Sequence, residues 1–504
     1  MRILPFGDRA LLAEVDALAD VLALHRALEA SRPAGVVDLV PAARTVLVHV
    51  DPAVLALPAA HAWIAGGGSG AVAAPADAGG EWVLPVAYDG ADLTETAELL
   101  GIGAGELVAR HLAATWTVAF SGFAPGFGYL VSADWPFDVP RLPSPRTAVP
   151  AGAVGLAGTF SGAYPRSSPG GWRLIGATTA PLFDPAAERP ALLHPGDRVR
   201  FTASPAPVEA ATPPPVPSGE GAFTVLAPGA LATVQDAGRP GHLAAGVARS
   251  GAADRGALRT ANRLVGNAAD AAGVELVLGG FRAVAAHDLW IAVTGAWGPL
   301  RIGGRPVDPY VPVRWPAGAE LEAAPFVRGI RAFLAVRGGI AATRLWGSAA
   351  TDTLAGLGPR PLAAGDALCL GDAAERPVPA LDAFPWTPPA TELRIPLAPG
   401  PRADWFTRTS LDALFDSWWT VSPQSDRVGV RLTGPVLTRT VAGELASEGM
   451  LPGAVQVPPS GHPVILGPDG PVTGGYPVIA VVTDAGRDAL AQARPGSRVR
   501  FHRT

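Results

Sequence analysis

The chain has 504 residues, 48% of them apolar, with a formal net charge of −5. That length is enough for two to four domains with real cores, and the mild charge leaves no electrostatic footprint for nucleic acid or an anionic membrane. Cys369 is the only cysteine, which excludes an internal disulfide and a thiolate metal cluster.

There is no lysine, so all 39 basic residues are arginine. A phosphate-loop NTPase needs its lysine on the nucleotide phosphates, and Schiff-base, pyridoxal-phosphate and covalent biotin chemistry each need a lysine amine. Those classes are excluded for this chain acting alone. No apolar run is long enough to span a bilayer. The opening Met1–Asp8 lacks a signal-peptide layout, so a cytoplasmic protein is expected.

In chain order, Ala10–Val15 reads as a strand and Ala17–Ala30 as a helix. Val36–Val40 and Thr45–Val50 read as a hairpin pair. Gly66–Gly80 reads as a linker. Glu81–Tyr88 is predicted as a strand, and Asp92–Leu100 and Gly105–Ala113 as helices. From there to Phe201, short β segments are broken by Gly and Pro. Thr202–Gly221 is Pro/Ala-rich linker. The remainder is β-rich, with helices expected at Asp254–Val265 and Ala403–Trp418 and a Pro-rich divider at Pro377–Pro389.

His194–Phe201 and Arg494–Phe501 are nearly the same octapeptide. Upstream, Val149-Pro150, Leu156 and Ala163-Tyr164-Pro165 are expected to correspond to Val457-Pro458, Ile465 and Gly475-Tyr476-Pro477. A spaced set repeated in order points to a domain duplication. The expected organisation is a small α/β unit over 1–80, a β domain over 81–205, a linker over 206–221 and a second β domain over 222–504.

Glycine and proline alternate with aromatics from Phe120 to Leu130, a composition that suits a close backbone approach to a ligand or an aromatic-packed turn. Arg141 and Arg146 flank Pro143 and Pro145, and Arg166-Ser167-Ser168-Pro169-Gly170-Gly171-Trp172 follows Tyr164-Pro165. Arginine forks and a Ser/Gly turn suit carboxylate or phosphate. His111 is either an acid/base group or a structural histidine. The second half adds Val234–Gly241, Asn262 before a Gly266-Asn267 cap, Glu275 in an apolar stretch, Ser425–Leu432, Ser447–Gly449, Asp469 and Thr473–Pro477.

On these motifs residues 1–205 resemble the B-component family of 5-oxoprolinase, also called allophanate hydrolase subunit 1 or the sporulation-kinase-inhibitor family. The match runs through Gly7–Ala10, Tyr88–Leu93, His111, Gly122–Leu130, Pro145-Arg146, Val149–Gly152 and Ser168–Trp172. Residues 222–504 resemble the C-component, or allophanate hydrolase subunit 2, family through Val234–Arg239, Ser250-Gly251, Ala261-Asn262, Leu264–Asn267, Gly347-Ser348, Ser425–Arg427, Ser447–Gly449, Gln456–Pro458 and Thr473–Pro477. Ala153, Trp116 and Ala349-Ala350 depart from the usual family residues.

The resemblance implies a mainly β protein with an α+β N-terminal unit and two cyclophilin-like β-barrel domains. It also implies ATP-dependent opening of 5-oxoproline to glutamate with a separate partner resembling the A component of 5-oxoprolinase. ATP, shared with that partner, and magnesium are the implied cofactors, with no covalent biotin on this chain and no metal site of its own. The substrate is a small-molecule amide. Nucleic acid and membrane are not expected partners, and a homo-oligomer is compatible.

The expected catalytic residues are His111, Arg146, Asp236, Asp426, Arg427 and Glu448. Gly122, Phe123, Pro125, Gly126, Tyr129, Tyr164, Ser168, Gly170, Gly171, Trp172, Arg239, Asn262 and Tyr476 are the expected binding residues. Alanine at Arg146 or Arg427 is expected to abolish activity with little effect on melting temperature. The same domain pair resembles the carboxyltransferase part of urea carboxylase, so carboxyl transfer with a biotinylated partner is one alternative and a histidine-kinase regulator another.

Overall fold

The computed structural model describes residues 1–67, 79–142, 146–185, 187, 190–205, 221–379, 384–441, 443 and 445–504. Most of both expected linkers, together with Pro143 and Pro145, lies outside the described residues. No helix among them is long and apolar enough to cross a membrane.

The N-terminal unit is a four-stranded antiparallel sheet with Leu18–Ala30 and Leu57–Ala65 as its helices. The second helix lies between Val50 and Gly66, a stretch for which the sequence reading named no element. One face of this sheet, with Leu11, Val46 and Val48, packs on the helices. Because side chains alternate across a strand, the neighbours Phe6, Leu12, Val40 and Leu47 point the other way. That second face packs on Met450, Leu451, Val472 and Val481, some 400 residues further on.

The first closed barrel is built from seven strands: β1 (Glu81–Ala87), β2 (Trp116–Ser121), β3 (Gly128–Val131), β4 (Ala153–Ala157), β5 (Phe160–Ala163), β6 (Arg173–Thr178) and β7 (Arg198–Ala203). Around the ring they run β5-β3-β2-β7-β1-β6-β4. The second barrel uses β8 (Glu392–Pro399), β9 (Trp419–Val421), β10 (Gly429–Thr433), β11 (Ala454–Gln456), β12 (Val464–Leu466), β13 (Val478–Val482) and β14 (Arg498–Arg503). Its order is β12-β10-β9-β14-β8-β13-β11. Adding seven to each strand of the first ring gives the second.

The duplication extends to detail. β7 pairs in parallel with β1, placing Arg198 opposite Glu81, and β14 pairs with β8, placing Arg498 opposite Glu392. Each barrel carries a side ribbon: Arg146–Val149 with Ser168–Gly170, and Glu448-Gly449 with Thr473-Gly474. Trp116 donates its indole N–H to the His111 carbonyl at the end of helix Ala104–Ala113, and Trp419 donates to Leu414 in helix Arg408–Asp416.

The hydrogen-bond register corrects the upstream correspondence. Gly152 N–H donates to the Tyr164 carbonyl and Gly453 N–H to the Leu466 carbonyl, so Tyr164 is the counterpart of Leu466. Trp172, not Tyr164, corresponds to Tyr476, and Val149 precedes β4 whereas Val457 follows β11.

The second barrel fills only the end of the 222–504 segment. Residues 222–379 form six- and five-stranded sheets around a shared core, with helix Arg255–Leu264 packed beside them. The expected 403–418 helix is a short 3-10 turn followed by an α-helix that starts after Thr407, whose hydroxyl caps the Ser410 N–H.

Candidate functional site

The β2–β3 connection, 122–127, projects from the first barrel. Phe123 holds a left-handed backbone (φ 62°), a conformation that costs an L-residue free energy. Its N–H donates to Thr473 Oγ1 at 2.7 Å, which fixes it there. Gly122 packs so closely that a Cβ would lie 2.6 Å from the Thr473 side chain. This loop of the first barrel is therefore seated on the ribbon of the second.

Behind it the aromatics interlock edge to face, with Phe127 at 5.5 Å from Phe123, 5.1 Å from Tyr164 and 5.2 Å from Trp172, and Tyr129 at 5.5 Å from Trp172. Gly126 and Gly170 leave no room for a Cβ, the first against the Leu182 carbonyl and the second against the Tyr164 hydroxyl. Gly171 accepts the Leu142 N–H through its carbonyl. Pro125 is buried in the same loop.

Polar groups border this cluster. Arg146 donates Nη2 to Asp92 Oδ1 at 2.6 Å, and Asp92 Oδ2 accepts the Leu174 N–H. Arg146 Nη1 and Ser168 Oγ are buried without a hydrogen-bond partner among the described residues. Burial raises the Tyr164 hydroxyl pKa, opposed by Arg141 and Arg146, so it stays a donor.

The 164–168 turn joins this mouth to the second half. Arg166 Nη1 donates to the Gly356 carbonyl at 3.0 Å, Gly246 packs against the Ala124 carbonyl, and the Phe183 and Trp346 rings lie 6.1 Å apart. Within the second half, close to Arg166, is Asp352. Its Oδ1 accepts the Leu354 and Ala355 N–H groups, while Oδ2 has no hydrogen-bond partner among the described residues. Burial and the neighbouring Asp469 push its pKa up to about 6. The buried Ser250 hydroxyl, without a partner of good geometry, lies close enough to oppose that rise.

Arg239 is fully buried and donates Nη2 to the Ala350 carbonyl, leaving Nε and Nη1 without a hydrogen-bond partner among the described residues. Burial lowers its pKa, opposed by Asp352, Asp236 and Asp469. Buried donors are normally satisfied. Among the described residues, buried unpaired groups lie on both sides of the Arg166 turn: Arg146 Nη1 and Ser168 Oγ on the first-barrel ribbon, and Ser250 Oγ, Arg239 Nε and Nη1 and Asp352 Oδ2 in the second half.

Other expected residues occupy structural positions. His111 is fully buried in the barrel, between the Tyr88 hydroxyl (2.8 Å from Nδ1) and Ser161 Oγ (2.9 Å from Nε2), and burial lowers its pKa to about 3. It is a core histidine at the position Leu414 holds in the second barrel. Asp236 latches two loops, accepting the Gly238 and Ala349 N–H groups and the Ser348 hydroxyl. Asn262 ties its helix to Ala271 and Asn267. Arg427 is buried, chelating Asp469 through Nε and Nη2 and reaching Glu275 at 2.8 Å. Burial alone would lower its pKa, but the two carboxylates hold it above the ordinary value.

Glu448 binds Arg402, which also holds Glu14 of the N-terminal sheet at 2.7 Å. Asp426 is exposed and accepts the Val428 and Gly429 N–H groups, and Tyr476 is half-buried near Arg439. Sequence reasoning did not single out Asp352, Asp92 or Arg402 as site residues. Asp352 lies between threonines in a Gly-rich run, Thr351–Gly358, which was the signal available.

Family models for the carboxyltransferase domain match twice: subdomain C and D over residues 1–193, and subdomain A and B over residues 245–503. The second half is 39% identical over 282 residues to the C component of 5-oxoprolinase from Escherichia coli K12, covering 55% of this chain and 89% of that one. A stretch of 121 residues is 47% identical to the B component of 5-oxoprolinase from Escherichia coli O157:H7, 23% of this chain and 56% of that one. Urea amidolyase of Lachancea kluyveri is 34% identical over 311 residues, 56% of this chain but 17% of that one. The crystal structure of TTHA0988 superposes with a TM-score of 0.87 at 37% identity, covering 98% of this chain and 99% of that one. The chain belongs to the carboxyltransferase-domain family, with subdomains C and D ahead of A and B in a single polypeptide.

Proposed function

We propose that this chain is the fused B and C component of a cytoplasmic, ATP-dependent 5-oxoprolinase, opening the 5-oxoproline lactam to L-glutamate together with a separate A component. One observation carries the reading: regions similar to the B and C components lie in one chain, and the Phe123 loop and Arg166 turn of the first are seated on the second. A lactam amide is resonance-stabilised, and phosphorylating its oxygen makes the carbonyl a better electrophile. That step calls for anion stabilisation more than for a strong nucleophile.

The residues fit such a group. Arg146 Nη1, Arg239 Nε and Nη1, and Ser168 Oγ are buried donors with free valence, and arginine forks suit phosphate and carboxylate oxygens. ATP, when bound with magnesium, supplies the phosphoryl group, and the A component supplies what a lysine-free chain lacks. Asp352, with its pKa near 6, is the carboxyl able to give or accept a proton near neutrality.

Similarity to urea amidolyase favours a second reading, carboxyl transfer to an amide from a biotinylated partner. Co-expression with the A-component protein of the same genome, followed by assay of glutamate release from 5-oxoproline, separates them. ATP-dependent release that needs both proteins is expected. No release from folded, associated proteins overturns the first reading and turns the test to carboxyl transfer.

A further inference from the structure

A cavity of about 40 Å³ lies where the N-terminal sheet, the 243–249 segment and the second barrel meet. Three arginines line it, one from each part: Arg9, Arg249 and Arg487. The carboxylates beside them are engaged. Asp484 pairs with Arg9 at 2.9 Å, Arg255 at 2.6 Å and Arg487 at 3.5 Å. Asp8 accepts the Asp484 N–H at the start of helix Asp484–Leu490. Asp38 accepts the Leu243 N–H and faces His49 Nδ1 at 3.3 Å.

Arg249 is left over. Its guanidinium makes no hydrogen bond or ion pair among the described residues, although it borders the cavity and the side chain is largely sequestered. Arg9 Nε is also buried without a partner. Crowding among these cations has a cost. Burial lowers the Arg249 pKa with Arg255 adding to the effect, and burial with Arg255 beside it lowers that of Arg487 to about 10. Asp8, Asp38 and Asp484 line the same cavity and match the three arginines in number, but they are directed to other donors, and the half-buried Arg249 guanidinium is left without an acceptor among the described residues.

We propose that this cavity binds a small oxyanion, a carboxylate or an inorganic phosphate, held by Arg249 with Arg9 and Arg487. The volume admits roughly three waters, or an anion of about four heavy atoms. A planar guanidinium fork suits either ligand. The site also reaches Arg239, because the Arg249 carbonyl accepts the Arg239 N–H at 2.8 Å, so an anion that orders Arg249 braces the loop carrying Arg239.

The test is thermal unfolding of the full chain titrated with sodium phosphate or sodium acetate, with chloride at matched ionic strength as reference. A saturable rise in melting temperature with one anion over chloride is expected, and the stronger of the two identifies the source. Arg249→Met should raise the apparent Kd at least tenfold, while Arg146→Met should leave it unchanged. If Arg249→Met does not fold, Arg249→Lys serves, with a weaker but measurable shift. No saturable rise over chloride overturns the proposal. So does a rise that survives Arg249→Met but is lost in Arg146→Met, because the anion would then sit at the first-barrel ribbon.

Discussion

At the scale of single residues, burial and partners separate the groups that hold the molecule together from those free to act. His111 is neutral in the fold down to about pH 3, whereas in the unfolded chain it takes a proton below its ordinary 6.5. The unfolded state therefore binds more protons between these values, and His111 makes stability fall as pH drops from 6.5 towards 3. His111→Leu, which copies Leu414, should flatten that part of the stability curve. It should cost about 1–3 kcal/mol at neutral pH by orphaning the Tyr88 and Ser161 hydroxyls. Glutamate release per folded molecule should persist, and a loss of kcat at unchanged stability would restore the catalytic reading.

Asp352 has the opposite sign. Between its ordinary 3.8 and about 6 the native state keeps a proton that the unfolded chain has lost, so stability falls as pH rises through that window. Asp352→Asn should remove this slope in denaturant titrations. It should also remove the acidic limb near pH 6 from the pH profile of glutamate release. An unchanged limb would take Asp352 out of the proton transfer.

Arg146 and Arg427, alike in sequence, part company here. Arg427→Ala leaves buried Asp469 without its ion pair and Glu275 with Arg331 alone, and should cost about 3–5 kcal/mol. Arg146 is partly exposed and its partner Asp92 keeps the Leu174 N–H. Arg146→Ala should therefore cost about 1–3 kcal/mol while removing most activity. Melting temperatures of the two variants, measured side by side, decide it.

At the scale of elements, the duplication was partly legible. The octapeptides end both chain halves because they are β7 and β14, the strands that close each barrel in parallel pairing. The blocks between them were matched through Tyr-Pro and Val-Pro dipeptides, which carry no register information. Register comes from which N–H meets which carbonyl, and loops of unequal length shift the dipeptides against it. Once register is applied, Arg146 faces Gly170 as Glu448 faces Gly474, so two residues chosen for their charge are counterparts in two ribbons. One ribbon keeps Arg146 Nη1 and Ser168 Oγ unpaired, while in the other Arg402 takes Glu448 Oε1 and leaves Glu448 Oε2 and Ser447 Oγ without a partner among the described residues.

The aromatic loop was legible as a unit because its glycines and rings are contiguous in sequence. Asp352 and Arg402 were not, because their environment is set by residues far away along the chain. The loop's seat on Thr473 yields its own prediction. Thr473→Val keeps the shape but removes the acceptor of the Phe123 N–H, which should cost about 1–3 kcal/mol. With Phe123 released from its left-handed conformation, KM should rise more than kcat falls. An unchanged KM would mean that the loop does not order the site.

At the scale of the whole molecule, the halves clasp. The N-terminal sheet buries one face on the second barrel through Phe6, Leu47, Leu451 and Val481, and Arg402 bridges Glu14 to Glu448 across the same contact. The Gly7 N–H donates to the Pro399 carbonyl, and the Ala43 N–H to the Ser447 carbonyl. Residues 1–205 and 222–504 expressed as two chains should therefore co-elute as a 1:1 complex on size exclusion. Residues 1–205 alone should bind a hydrophobic dye. Separate, monodisperse elution would show that this contact needs the covalent link.

That same sheet also has a history in time. The face it turns to the second barrel is synthesised first, but its cover, which runs on to Val481 in β13, is not complete until that strand leaves the ribosome. At about 5–20 residues per second the apolar face waits on the order of 20–100 s. Throughout that interval the nascent chain presents a half-finished interface. Expression of this protein should therefore depend on what shields the first fifty residues during translation as well as on the stability of the finished fold.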